Sequence, residues 1–253
     1  MKRLDGKTAL VTGGSRGFGK GIVQALAAEG ANVWALARDQ EALDQLKESV
    51  TGVQTLVADV TDAAVAQESL REIRPDILIL NAGATPHMAP IHQQSWEEFG
   101  RVWNTDVYMT FMFGKAALTQ PLASGSTVVI VSSGAAVNGG GSPLSGSYAG
   151  AKRMQMLLAR YLQQEADTLQ RDIRFIALIP QQISPATKLG QTAVAAYAAA
   201  QGISEQAFLQ RFGAPLLPDA VGQGVVDLLA DPAYRSINTA GMTSRGLAAL
   251  EVA

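Results

Sequence analysis

The stretch SYAGAKRMQ, residues 147 to 155, sets Tyr148 and Lys152 four residues apart. On a helix, positions i and i+4 share a face, so the two side chains project together. A phenol ordinarily titrates near pH ~10, and a neighbouring ammonium favours its ionised form. Such a pair can donate and accept a proton near neutral pH. Y-x-x-x-K also occurs on ordinary surface helices, so the reading rests on what accompanies it. A second stretch, TGGSRGFG (12–19), carries Gly13, Gly17 and Gly19 between an apolar run and a helical one. Glycines there let backbone approach a pyrophosphate, and a helix N-terminus offers free N–H groups and the positive end of its dipole. The spacing is not the general G-x-G-x-x-G of dinucleotide sites. His87 and His92 have no carboxylate or third ligand at suitable spacing, so no metal site is expected.

Elements that could position these stretches are legible on either side of them. Thr8–Thr12 reads as a buried strand, and Gly19–Glu29 as a helix ended by Gly30. Asn32–Ala37 is a second strand, followed by a helix over Gln40–Glu48. Val53–Val57 and Ile77–Leu80 are further strands, separated by a helix from about Ala63 to Glu72. A long helical region runs from Trp96 towards Leu118. Val128–Val131 and Phe175–Ile179 are apolar strands on either side of the Tyr148/Lys152 helix. Strands apolar on both faces, alternating with helices, indicate a doubly wound α/β domain: one parallel sheet with helices on both faces. No composition break marks a second domain, so residues 1–253 read as one unit. A helical insertion at about 185–215, centred on Gly202–Phe212, is of the kind that covers an active site. Trp34 and Trp103 fall in apolar segments and are expected in the core, and Tyr197 and Phe208 are expected to pack within the insertion. The stretch 107–118 is apolar on more than one helical face, which suggests burial against another subunit.

Composition narrows the class. Apolar residues make up 47% of the chain and charged residues 17%, as in a well-buried globular enzyme. The net charge of −2 with no basic block gives no sign of nucleic-acid binding. The chain has no cysteine, which excludes disulfides and thiol catalysis. The N-terminus has no apolar stretch of signal-peptide length, and no run is long enough to span a bilayer. A soluble, cytoplasmic protein without membrane partners is expected.

In order along the chain, the motifs resemble those of the short-chain dehydrogenase/reductase family, over nearly the whole length. That family carries TGxxxGxG after its first strand, matched by Thr12, Gly13, Gly17 and Gly19. Its adenine-contacting aspartate after the third strand is matched by Asp59, with Val60. Its NAG motif is matched by Asn81, Ala82 and Gly83, and its serine followed by Y-x-x-x-K by Ser133, Tyr148 and Lys152. The resemblance implies a Rossmann-type fold, a homodimer or homotetramer, and interconversion of a small-molecule carbonyl and a secondary alcohol. It implies that Lys152 holds the nicotinamide ribose and lowers the pKa of Tyr148. Tyr148 would exchange a proton with the substrate oxygen during hydride transfer, and Ser133, in preference to Ser132, would hydrogen-bond that oxygen. Ser15, Arg16, Phe18, Arg38, Pro180 and Ile183 complete the implied cofactor contacts. NADP is expected in preference to NAD: Ala37 stands where NAD sites place an acid, with Arg38 beside it and Arg16 in the glycine loop. Asp39 is the counter-indication. The rival reading is a nucleotide-binding regulatory or scaffold protein without turnover, and intact Ser133, Tyr148 and Lys152 weigh against it.

Three departures from the family pattern stand out. Ser133 and Tyr148 are 15 residues apart (148 − 133), about two more than usual, with the NGGGSPLSG stretch absorbing the excess as loop. The family's P-G-x-x-x-T appears as Pro180-Gln181-Gln182-Ile183-Ser184-Pro185, so Ser184 or Thr187 must supply the missing hydroxyl. The helix asparagine of the family falls on Asp106, in preference to Asn104. In the family that asparagine shapes a helix kink whose carbonyl holds a water leading to the lysine. An aspartate there could keep the backbone role, while its charge would raise the pKa of Tyr148.

Overall fold

The structure, a computed structural model, describes residues 2–120 and 122–251. Eight strands form one sheet: β1 (Thr8–Thr12), β2 (Asn32–Ala37), β3 (Gln54–Val57), β4 (Ile77–Leu80), β5 (Ser126–Val131), β6 (Ile173–Pro180), β7 (Thr239–Thr243) and β8 (Gly246–Ala249). Their order is β3-β2-β1-β4-β5-β6-β7-β8, parallel except for β8, which runs antiparallel to β7. The helices are α1 (Gly17–Ala28), α2 (Gln40–Ser49), α3 (Val65–Ile73), α4 (Trp96–Val102), α5 (Tyr108–Thr119), α6 (Gly146–Thr168), α7 (Lys188–Ala200), α8 (Glu205–Leu209) and α9 (Pro218–Ala230).

The central strands are apolar on both faces because both faces are covered. Ile22 and Leu26 of α1, Leu43 and Leu46 of α2, and Val221 and Val225 of α9 pack with Val11 and Ile79 on one side. Leu70 of α3, Met109 and Phe113 of α5, and Met156 and Leu162 of α6 pack with Leu10 and Leu80 on the other. Strand order reverses between β1 and β4, and in such sheets a crevice opens beyond the carboxyl ends at that point. The glycine loop follows β1 and the Asn81-Ala82-Gly83 turn follows β4, so both border that crevice.

Several expectations are corrected. The long helical region from Trp96 towards Leu118 is interrupted at Trp103–Val107 by a turn of π-helix, the wider form found as single bulges inside α-helices. Trp103 is not in the core: it is 36% exposed, and its indole N–H donates to the Ser147 carbonyl at 3.2 Å. The first helix starts at Gly17, inside the glycine loop, and β3 starts at Gln54. The helical content of the insertion begins earlier than Gly202, with α7. Phe208 is buried and stacks on Tyr197 with ring centroids 6.0 Å apart. Phe111 on α5 is 50% exposed, within the stretch expected to face another subunit. Among the described residues, no helix is long and apolar enough to cross a membrane.

Candidate active site

A cavity of about 790 Å³ lies at the carboxyl ends of β1, β4, β5 and β6. It brings together Gly13, Gly17, Phe18, Asn81, Ala82, Gly83, Asp106, Ser133, Tyr148, Lys152, Pro180 and Ile183. Ser15, Arg16, Gly19, Arg38, Asp59 and Val60 stand outside its lining.

The glycine loop owes its shape to the turn after β4. Asn81 donates from its side-chain amide to the carbonyls of Thr12 (3.1 Å) and Gly13 (3.2 Å), and its backbone N–H donates to Thr12 Oγ1 (3.0 Å). Gly13 has φ +66°, and a Cβ there would lie 2.8 Å from Ala82 Cα. A Cβ on Gly19 would lie 2.0 Å from the Gly13 carbonyl oxygen. These two glycines therefore close the loop on itself and on the Asn81 turn, a requirement beyond room for a ligand. No side chain caps the start of α1, so its first-turn N–H groups remain available to an anion. The loop fits a pyrophosphate.

Tyr148 and Lys152 share one face at the start of α6, with Lys152 Nζ 5.6 Å from the Tyr148 ring centroid. Lys152 is buried, and its ammonium donates to the Val131 carbonyl at 3.1 Å. Burial works against that charge, but Asp106 and then Tyr148 outweigh it and hold the ammonium above its ordinary range. For Tyr148, burial is the largest influence and pushes the phenol up. Lys152 and a hydrogen bond with Ser133 pull down, Asp106 pushes up, and the phenol stays above its ordinary value. The lowering by Lys152 expected from the sequence is present but loses to burial in the chain alone.

Asp106 enters the site because the π-turn rotates it inward. It is fully buried, and its carboxylate lies 3.0 Å from Lys152 Nζ through Oδ2 and accepts from the Ala84 N–H at 2.8 Å through Oδ1. Its backbone carbonyl accepts from Gln155 Nε2 at 3.1 Å and Thr110 Oγ1 at 2.8 Å. The kink implied by the family resemblance is thus present, but both lone pairs of the carbonyl are taken and the carboxylate meets the lysine directly. Gln155 escaped the sequence reading. Its spacing carried a signal, since 148, 152 and 155 follow i, i+4, i+7 along one helix face.

The two serines after β5 have different partners. Ser132 is buried and its hydroxyl donates to the Lys152 carbonyl at 2.8 Å, which anchors α6. Ser133 faces Tyr148 and accepts from the Ala135 N–H at 3.2 Å.

The two hydroxyls offered for the altered clasp also differ. Thr187 caps α7, accepting from the Gly190 N–H and donating to the Ser184 carbonyl, both at 3.0 Å. Ser184 is among the residues lining the cavity, and its hydroxyl is buried with no hydrogen-bond partner among the described residues. A buried hydroxyl in that condition suits a polar ligand group. Gln182 is engaged elsewhere. It donates to the Ala214 carbonyl (2.9 Å) and accepts from the Ser244 N–H (2.6 Å), tying the end of the insertion to the loop after β7.

Beyond β2, Arg16 pairs with Asp39 and Arg38 with Asp59 at 3.4 Å. Asp39 caps α2 by accepting from the Ala42 N–H at 3.0 Å. That bond, ahead of Arg16, holds its carboxyl below the usual range. Asp59 is pushed up by burial but held low overall by hydrogen bonds from Thr61 and by Arg38. Val60 is buried in the core.

A family model described as short chain dehydrogenase matches residues 7–200. L-xylulose reductase of Bos taurus is 32% identical over 129 residues, 51% of this chain and 53% of that protein. A hydroxynaphthalene reductase-like protein of Metarhizium robertsii is 35% identical over 161 residues, 60% of this chain and 59% of its own length. The matched region thus spans somewhat more than half the length of these curated relatives. A solved structure described as an NAD(P) dependent gluconate 5-dehydrogenase from Beutenbergia cavernae, with NADP at low occupancy, superposes with a TM-score of 0.76 at 27% identity. That superposition covers 93% of this chain and 94% of the other. With most of its length matched by the family model, and with Gly13, Gly17, Asn81, Ser133, Tyr148 and Lys152 around one cavity, the chain belongs to the short chain dehydrogenase family.

Proposed function

We propose that this chain is an NADP-dependent oxidoreductase that interconverts a ketone and a secondary alcohol. The observation that carries the reading is the convergence of Ser133, Tyr148 and Lys152 on a cavity that continues to the glycine loop. In reduction, the Tyr148 hydroxyl gives its proton to the carbonyl oxygen while Ser133 donates a hydrogen bond to that oxygen as charge develops. Lys152 would hold the nicotinamide ribose, the α1 N-terminus the pyrophosphate, and Ser184 the carboxamide. The dinucleotide, when bound, supplies or accepts the hydride. Spectrophotometric turnover of NADPH with a panel of ketones tests the reading; cofactor binding without turnover of any ketone rejects it.

Preference for the phosphorylated dinucleotide rests on the end of β2. Arg16 and Arg38 expose about 70% of their side chains there, and Asp39, the acid just past the strand end, is committed to α2 and Arg16. Guanidiniums recognise phosphate through charge-assisted bonds, each worth ~1.5–3 kcal/mol. We expect kcat/KM to favour NADPH over NADH by at least about 10-fold, and Arg38→Ala to erase most of that ratio by lowering the NADPH value alone. A clear preference for NADH overturns this part of the reading.

Ser184→Ala is expected to weaken dinucleotide binding by about 2- to 10-fold, the worth of one hydrogen bond. Thr187→Ala should instead cost about 1 kcal/mol of stability through the lost cap of α7. Cofactor Kd from fluorescence titration and thermal melts of both variants separate the two roles; the reverse pattern would assign the carboxamide to Thr187.

A further inference from the structure

The outer part of the cavity, beyond Tyr148, is built for an uncharged and largely apolar molecule. Its walls are Met88, Val137, Leu189, Tyr197, Phe208 and Phe212. Three of these are aromatic and form a continuous surface: Tyr197 stacks on Phe208, and Phe208 meets Phe212 with centroids 5.0 Å apart. Of the polar side chains in the same lining, Ser145, Tyr197, Asn138 and Gln201 are hydrogen-bonded, whereas those of Thr85, Ser142 and Gln181 make no hydrogen bond among the described residues. The Tyr197 hydroxyl shares a hydrogen bond with Ser145 Oγ at 3.2 Å. Asn138 donates to the Gly141 carbonyl at 2.7 Å and accepts from the Gly140 N–H at 3.1 Å. Gln201 accepts from the Arg211 guanidinium.

Charge is the sharper criterion. Among the described residues lining the cavity, two carry formal charge, Asp106 and Lys152, and they are paired with each other at its base. Within this lining a carboxylate or phosphate on the substrate would find no cation that is not already paired.

From this we infer that the substrate is a neutral ketone attached to an apolar ring system, aromatic or alicyclic, and that keto acids and sugar phosphates are excluded. The inference rests on the proposed ketone–alcohol activity. In reduction the hydride adds to the carbonyl carbon, the Tyr148 proton to the oxygen, and the reduced dinucleotide becomes oxidised. Tyr197 and Met88 are then specificity determinants: the first supplies the flat wall, and the second sets the absence of charge on the side of the loop after β4.

The test compares α-tetralone with para-acetylbenzoate under NADPH. The expected kcat/KM for α-tetralone exceeds that of the acid by at least about 100-fold. Tyr197→Ala should reduce the ratio of α-tetralone to acetone by about 10-fold or more, through the lost ring surface. Met88→Arg should raise turnover of para-acetylbenzoate about 10-fold by giving its carboxylate a partner. Calorimetry of α-tetralone and para-acetylbenzoate with the NADP-loaded protein provides a readout independent of turnover. If no ketone is reduced, the proposed activity fails, and calorimetry still decides the pocket's preference. Equal or better use, or tighter binding, of the acid overturns the inference.

Discussion

Tyr148→Phe is expected to lower kcat/KM for ketone reduction by ~10²–10⁴-fold, the usual worth of a positioned general acid, while dinucleotide affinity changes less than about 3-fold. The phenol oxygen is the group next to Ser133 and above the Lys152 ammonium, whereas the glycine loop that would hold the pyrophosphate is shaped by Asn81 and Thr12. Losing one oxygen therefore removes the proton donor and leaves the anion site intact. Burial keeps the phenol above its ordinary value in the chain alone, which suits a group that must hold a proton before giving it away. Steady-state kinetics and a fluorescence titration of the same variant check both halves; activity near that of the parent would mean another group carries the proton.

The second large effect is on stability. Lys152→Met leaves Asp106 fully buried without its cation, and breaking a buried pair from one side costs about 3–5 kcal/mol. For a chain of this size the melting temperature should fall by on the order of 10 °C. Adding Asp106→Asn should restore most of the loss without restoring activity, because the ammonium proposed to hold the ribose is still missing. Asp106→Asn alone has a different signature. The Asp106 charge raises the phenol's pKa, so removing it lowers that pKa. The acidic limb of alcohol oxidation, which requires the phenolate, then moves to lower pH. Melts of the four proteins of the cycle and kcat/KM against pH for Asp106→Asn test the account. Additive losses in the cycle, or an unmoved acidic limb, would reduce Asp106 to a helix residue.

Local pattern accounts for much of the fold, and fails in identifiable places. Ile77–Leu80 was legible in full because a central parallel strand must be apolar on both faces. The Tyr148–Lys152 juxtaposition was legible because helix geometry fixes it from spacing alone. The π-turn was not legible from periodicity, since the extra residue that rotates the following face by about 100° has no signature of its own in residue type; only the resemblance pointed to a kink at Asp106. Trp103 misled for the same reason: its side chain is apolar, but the bulge turns it to the surface and frees Asp106 for the interior. Strands β7 and β8 gave little sign, because TAGMT is interrupted by Gly241 and GLAA lies on the exposed edge of the sheet. The direct Asp106–Lys152 pair and the bracing contacts of Gln182 depend on groups brought together across the fold, for which no short stretch holds a pattern.

The two donors on the Asp106 carbonyl have a kinetic consequence. Gln155 and Thr110 occupy that oxygen from behind, so a water relay that used it as an acceptor would have to displace one of them. The Lys152 ammonium in front of it is already bound to Val131 and Asp106. Under the proposed mechanism, a phenol that has given up its proton would then be recharged through the mouth by which substrate enters and product leaves. Reprotonation and ligand exchange would share one doorway, and a bulky product that lingers there would hold up the next proton as well as the next molecule.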